Sequence, residues 1–358
     1  MAKVRIHYID ALRGFTMLLV VFAHVLTFGF GMQKSFLSEL FITFRMPMFF
    51  FISGYIAYKS IDTWNGAFYK KMLRKKAVVQ IIPATVFWML FVLFICKKTS
   101  PIDYIAEKGF VGYWFTFTLM VFFVVYYTVS LVANKMSAPL RDKFFEWTLC
   151  IIALAGMGAI MALSNSPRKE FFHAFSILNA CNYFQFFVFG LLCKRHQVAF
   201  ERALTDNRVL VACMVVFVAC LYLLFHPRIS PQVPHLVSKL CTYELVRYSG
   251  LLIVFAFFYH NAAFFNQDNK VVRCMLFIGR RTLDIYLIHF FLMPFGIELP
   301  DYAWSHVFVV QLFVSMSISL LVIAVCLLIS RIIRMSDFLG HYLLGAKTVE
   351  KEPKSKKI

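Results

Sequence analysis

Residues 13–24 read RGFTMLLVVFAH, an arginine and a histidine bracketing a run with no other ionisable group. Extended to residues 11–31, the run is long enough to cross a bilayer, which takes about 17–25 residues. At 100° per residue, eleven steps return to within about 20° of the starting direction. Arg13 and His24 therefore share one helix face, roughly 16 Å apart along the axis. Ionisable groups inside a membrane cost ~2.5–3.5 kcal/mol each. Two on one face call for something polar opposite, either a water-filled cleft or a bound ligand. Asp10, one turn earlier, is placed to pair with Arg13.

The rest of the chain has the same character. Its 358 residues are 61% hydrophobic and 15% charged, with a mean hydropathy of +0.73. A soluble domain carries more polar surface than that. The 43 phenylalanines are spread along the whole chain, as in one membrane domain. Ten apolar stretches are expected to span: 11–31, 40–58, 77–95, 111–133, 147–163, 174–193, 209–225, 240–260, 280–297 and 306–330. The expected fold is an all-α, polytopic bundle over residues 1–340, followed by a polar, disordered tail at 341–358. The basic N-terminus leads into the first run without a small-residue cleavage site, so that run reads as a retained helix. The nine cysteines form no CxxC pair; neither a disulfide framework nor a metal site is indicated.

The net charge of +19 invites a nucleic-acid reading, but the distribution of the charges explains it better. With the N-terminus inside, 27 of the 37 Lys and Arg residues fall on the cytoplasmic side and 8 on the other, leaving Arg45 and Arg247 within spans. That asymmetry is the positive-inside pattern. It puts both termini in the cytoplasm and requires no nucleic acid.

Other polar residues inside or beside the spans are further candidates. Arg45 precedes Met46-Pro47 in the second span, toward the outer side. Lys70, Lys71, Arg74 and Lys75 form a basic face at helical spacing, suited to phosphates of a cytosolic co-substrate or to anionic lipid headgroups. Trp114 falls near the outer interface. Asn179, Asn182 and Gln185 recur on one face, as interhelix hydrogen-bonding residues do. Glu244 and Arg247, at i and i+3, either neutralise each other or line a substrate pocket. In the ninth span Asp284 can pair back to Arg280 or Arg281, and Tyr286 and His289 share a face near mid-membrane. Either histidine is a candidate proton carrier near neutral pH, or a buried packing residue.

Together, YIDALRGFTMLLVVFAHV (8–25), FRMPMFFFISGYI (44–56), the basic run ending in IIP (81–83), YWF (113–115) and TLDIYLIH (282–289) resemble the acyltransferase-3 family of integral-membrane acyltransferases, nearest to its fucose and sugar O-acetyltransferase branch. The resemblance covers nearly the whole chain and departs from that branch at Arg45, where histidine is usual. It implies transfer of an acetyl group from acetyl-CoA to a hydroxyl of a cell-envelope glycan or lipid-linked sugar. It implies that Arg13 and His24 are the catalytic pair. Its localisation would be a bacterial-type inner membrane, and any handoff to glycan-assembly partners would occur in trans.

The residues suit that chemistry. Arg13 and the Lys70–Lys75 face lie on the side of the cytosolic donor. Arg45, Trp114, Glu244 and Arg247 lie toward the side of an exported acceptor, with Tyr286 and His289 between. The rival reading is a transporter that uses the same buried charges as a proton and substrate path.

Overall fold

Helices supply all the regular structure among the residues described by the computed structural model, which are 6–29, 36–98, 100–225, 235–293 and 307–346. In chain order α1 is His7–His24, α2 Phe36–Ala57, α3 Gly66–Lys76, α4 Ile82–Leu90, α5 Pro101–Lys108 and α6 Trp114–Ala133. Then come α7 Ala138–Ser164, α8 Lys169–Ala174, α9 Ile177–Arg195, α10 Gln197–Thr205, α11 Asn207–Phe225 and α12 His235–His260. The last four are α13 Lys270–Arg280, α14 Thr282–Ile288, α15 Phe308–Ile333 and α16 Asp337–Leu344. Short π-helical turns occupy Val25–Gly29, Ala77–Ile81 and Phe91–Ile95.

Helix α1 runs between two apolar cores. Ile9 and Leu12 pack in one with Phe51, Tyr55, Phe187 and Phe255. Met17, Val20 and Val21 pack in the other with Trp88, Ile285 and Ile323. Between helices in a bilayer, association depends on close backbone approach rather than on expulsion of water. Gly54 of α2 and Gly190 of α9 supply that approach: a Cβ at either would strike a backbone carbonyl of the other helix, that of Phe187 or Phe51. On the outside, α11 buries none of its most apolar window and α7 only 12% of its own. The exposed Val211, Val215, Val218, Ile151 and Leu154 are surface for acyl chains.

Among the described residues, seven segments are long and apolar enough to cross a membrane: His7–Phe28, Gly66–Ile95, Trp114–Ala133, Ala138–Ser164, Ile177–Arg195, Asn207–Leu224 and Phe308–Ile333. The chain is thus an all-α, polytopic membrane protein. Two more of the expected spans fall on α2 and α12, of 22 and 26 residues, whose apolar character is interrupted by Arg45 and by Glu244 and Arg247. The expected span at 280–297 is not one straight helix. A break at Arg281 separates α13 from α14, and the chain then tightens into a 3-10 turn at His289–Leu292. The resulting apolar segment, Thr282–Leu292, is too short to cross alone; residues 294–297 lie outside the described ones.

The basic face at Lys70–Lys75 lies on a helix, as its spacing requires. Helix α3 runs without a break through the second π turn into α4 and on through the third, one helical rod of 30 residues, Gly66–Ile95. The tail assignment also shifts. Residues 341–346, read from sequence as tail, are packed: Leu344 is buried in the second core, and Gly345 takes φ +60° as it turns against Val79. Residues 347–358 lie outside the described ones.

Candidate active site

A cavity of about 490 Å³ lies between α1, α2, α3, α6 and α14. Lys59, Lys75 and Lys76 stand in its wall at one end. From there Met17, Phe49, Ile52 and Phe123 line the middle, and His24, Arg45, Trp114, Thr116 and Tyr286 stand at the other end. Arg13 and His24 face the same cavity, as their shared helix face requires. No Asp or Glu lines it among the described residues.

Arg13 is fixed where α1 meets α14. Its Nη2 donates to Thr282 Oγ1 at 2.8 Å, and its Nη1 lies 3.7 Å from Asp10. Asp10 in turn receives Arg280 Nε at 3.4 Å. Asp284, expected to pair with Arg280 or Arg281, does take Arg281 at 3.4 Å. Its principal partner is instead Arg334, which forks onto both carboxylate oxygens at 2.8 and 3.0 Å, joined by the Ser330 hydroxyl at 2.5 Å. Arg280 turns to Asp10 because the break at Arg281 swings α13 onto α1.

His24 is half-buried at the point where α1 gives way to the first π turn. Its ring stacks on Phe28 at 5.5 Å and on His289 at 5.4 Å, the latter inclined by 26°. The imidazole makes no hydrogen bond among the described residues, and it faces the cavity. His289 is wholly buried and does not line the cavity. Its Nδ1 faces the carbonyl oxygens of Ile285 and Tyr286 at 3.0 and 2.8 Å. Carbonyls only accept, so Nδ1 carries the proton and Nε2 is the bare nitrogen. That Nε2 is buried without a partner among the described residues. Tyr286 does face the cavity, with its hydroxyl beside Thr116.

The two arginines within spans differ. Arg247, 2% exposed, donates from Nη1 to Glu244 at 2.9 Å and to Asn182 at 2.8 Å. Gln185 donates to Glu244 at 3.1 Å and accepts from Tyr248 at 2.9 Å. The guanidinium lies over the Tyr243 ring at 4.0 Å. Glu244 and Arg247 thus neutralise each other outside the cavity wall, one layer behind Trp114, whose ring stacks on Tyr183 at 5.7 Å. Arg45, 8% exposed, stands in the cavity wall with no hydrogen bond or ion pair among the described residues; its Nε and Nη1 are buried and unpartnered.

A second, shallower concavity of about 670 Å³ adjoins the lysine-rich end. Lys70, Lys71, Arg74 and Lys75 line it from α3, and His341, Gly345 and Ala346 close it from α16. Lys75 belongs to both walls. Thr282, Gln80 and Thr116 also line the deeper cavity, polar residues that the motifs in the sequence do not single out. Gln80, an amide inside an apolar run, was the visible signal among them.

No curated protein and no solved structure matches the chain. The model of the acyltransferase domain family does match, over residues 6–331. That stretch contains the Arg13–His24 face, Arg45, Trp114 and the α14 residues that meet in one cavity. A basic, membrane-embedded cavity with a histidine at its end and a family match over nearly the whole chain lead to one conclusion: this is a membrane acyltransferase, a member of the acyltransferase-3 family.

Proposed function

We propose that the protein transfers an acetyl group from cytosolic acetyl-CoA to a hydroxyl of a cell-envelope glycan or lipid-linked sugar. The observation that carries this reading is the single cavity joining Lys59, Lys75 and Lys76 at one end to His24 at the other, with no carboxylate in its wall among the described residues. A donor that is polyanionic at one end and reactive at the other fits such a gradient. The lysine-rich end faces the cytosol by the positive-inside rule, which sets the termini there and Trp114 toward the acceptor. An inner membrane supplies both compartments, and anionic lipids border the α3 face.

In this mechanism Lys75, Lys76 and Arg13 hold the donor's phosphates, and the apolar middle of the cavity excludes water around the pantetheine arm. His24 removes the proton from the acceptor hydroxyl as its oxygen attacks the thioester carbonyl. The C–S bond breaks, and His24 returns the proton to the leaving thiolate. His289, held in one tautomer by two carbonyls, packs the His24 ring in position. Tyr286 and Trp114 bound the acceptor, and Arg45 contacts it.

The test is thiol release from acetyl-CoA by the purified protein with a crude envelope-glycan fraction, comparing wild type with His24→Ala. Glycan-dependent release that vanishes in a folded variant supports the reading. Absence of release with every glycan fraction overturns it, and substrate flux in vesicles would then be measured.

A further inference from the structure

We infer that the acceptor is anionic, carrying a carboxylate or phosphate close to the hydroxyl that is acylated, and that Arg45 is its receptor. This rests on the acyl-transfer reading of the cavity and names the substrate class. Arg45 is more than nine-tenths buried, stands in the wall beside the reacting end, and has no counter-ion among the described residues. Its separation from the lysine-rich end is large: twelve helical steps of α2 run from Arg45 to Ala57, about 18 Å of helix rise. A donor whose phosphates sit at Lys75 and Lys76 therefore leaves this charge uncompensated.

Nor does a carboxylate of the described residues pair with it. Glu244, the carboxylate beside the other buried arginine, is held by Arg247 at 2.9 Å and by Gln185 at 3.1 Å. A buried charge persists when something pairs with it, and here the cavity leaves that role to a ligand. A neutral hydroxyl needs only an amide or hydroxyl partner, which the chain uses freely elsewhere, as at Asn182 and Gln185. A guanidinium is the group suited to a carboxylate or phosphate.

The experiment separates an envelope-glycan preparation by anion exchange into neutral and anionic fractions and measures acetyl-CoA-dependent thiol release with each. The expected result is release on the order of tenfold or more faster with the anionic fraction. Carbodiimide-borohydride reduction of carboxyl groups abolishes that advantage if the anion is a carboxylate; phosphatase or mild acid treatment abolishes it if it is a phosphate. Arg45→Gln removes the preference, and Arg45→Lys keeps part of it. Equal rates with both fractions overturn the proposal while leaving the acyl-transfer reading intact. So does an Arg45→Gln variant that slows both fractions by the same factor, which would assign Arg45 to the oxyanion of the transition state. A preference for succinyl-CoA over acetyl-CoA with neutral acceptor overturns it too, because the anion would then ride on the acyl group. No release with any fraction overturns both readings together.

Discussion

Two arginines lie buried within the spans, and they are surrounded in opposite ways. Arg247 has Glu244, Asn182 and the Tyr243 ring around it. Arg45 faces an open cavity and the neutral Tyr183 and Tyr243, with no hydrogen bond or ion pair among the described residues. The first closes on itself and holds α9 to α12. In the proposed site the second meets its counter-charge in the acceptor. The difference teaches that burial alone does not mark function in a membrane bundle; what surrounds the buried charge has to be read as well.

The largest expected effect lies on the cavity side. His24→Ala should lower acyl transfer by ~10²–10⁴-fold, with the thermal unfolding midpoint in detergent unchanged; thiol release and unfolding are read on the same preparation. Activity retained within a few-fold would remove His24 from the chemistry. Next comes the closed side. Arg247→Met strands Glu244 among buried rings and should destabilise by ~3–5 kcal/mol. Adding Glu244→Gln should recover part of that loss in a double-mutant cycle. Additive losses in that cycle would mean the pair is not coupled.

Arg45→Met is expected to break the symmetry between the two sites. Removing this buried charge should leave stability unchanged or raise it by about 1 kcal/mol, while transfer to the anionic glycan fraction falls to the rate seen with the neutral one. A destabilisation equal to that of Arg247→Met would make the two arginines alike and end the contrast. The smallest effect is expected at Thr282→Val, which deletes one hydrogen bond to Arg13, worth about 1 kcal/mol. It should raise KM for acetyl-CoA a few-fold with little change in kcat, measured by initial-rate kinetics.

Much of this arrangement was legible in the sequence. Helical periodicity put Arg13 and His24 on one face, and the structure turns both into one cavity. The i, i+3 spacing put Glu244 beside Arg247. Periodicity speaks for one helix at a time, however, and does not say which faces meet. The fork of Arg334 onto Asp284 spans 50 residues, and nothing local announces it. The stacking of His24 on His289 joins helices from opposite ends of the chain. The apolar run at 280–297 concealed the turn at Arg281, because hydropathy averages over a break that leaves composition unchanged. Helix α16 was missed for the reverse reason: a single turn of Leu and Tyr beside a charged tail looks polar when averaged with it.

The π turn at Val25–Gly29 gives the chain an unusual sensitivity to its length. Such turns are rare and recur at functional sites. This one begins directly after His24 and carries Phe28, whose ring covers the imidazole. Deleting one residue between Val25 and Phe28 would leave Arg13 and His24 eleven positions apart, with their common face intact. It would also rotate everything beyond the deletion by about 100°, carrying the aromatic cover off the imidazole. Here a one-codon deletion that touches no charged residue would be felt as strongly as a substitution, and homologues with a different spacing in this segment would hold the same histidine against a different wall.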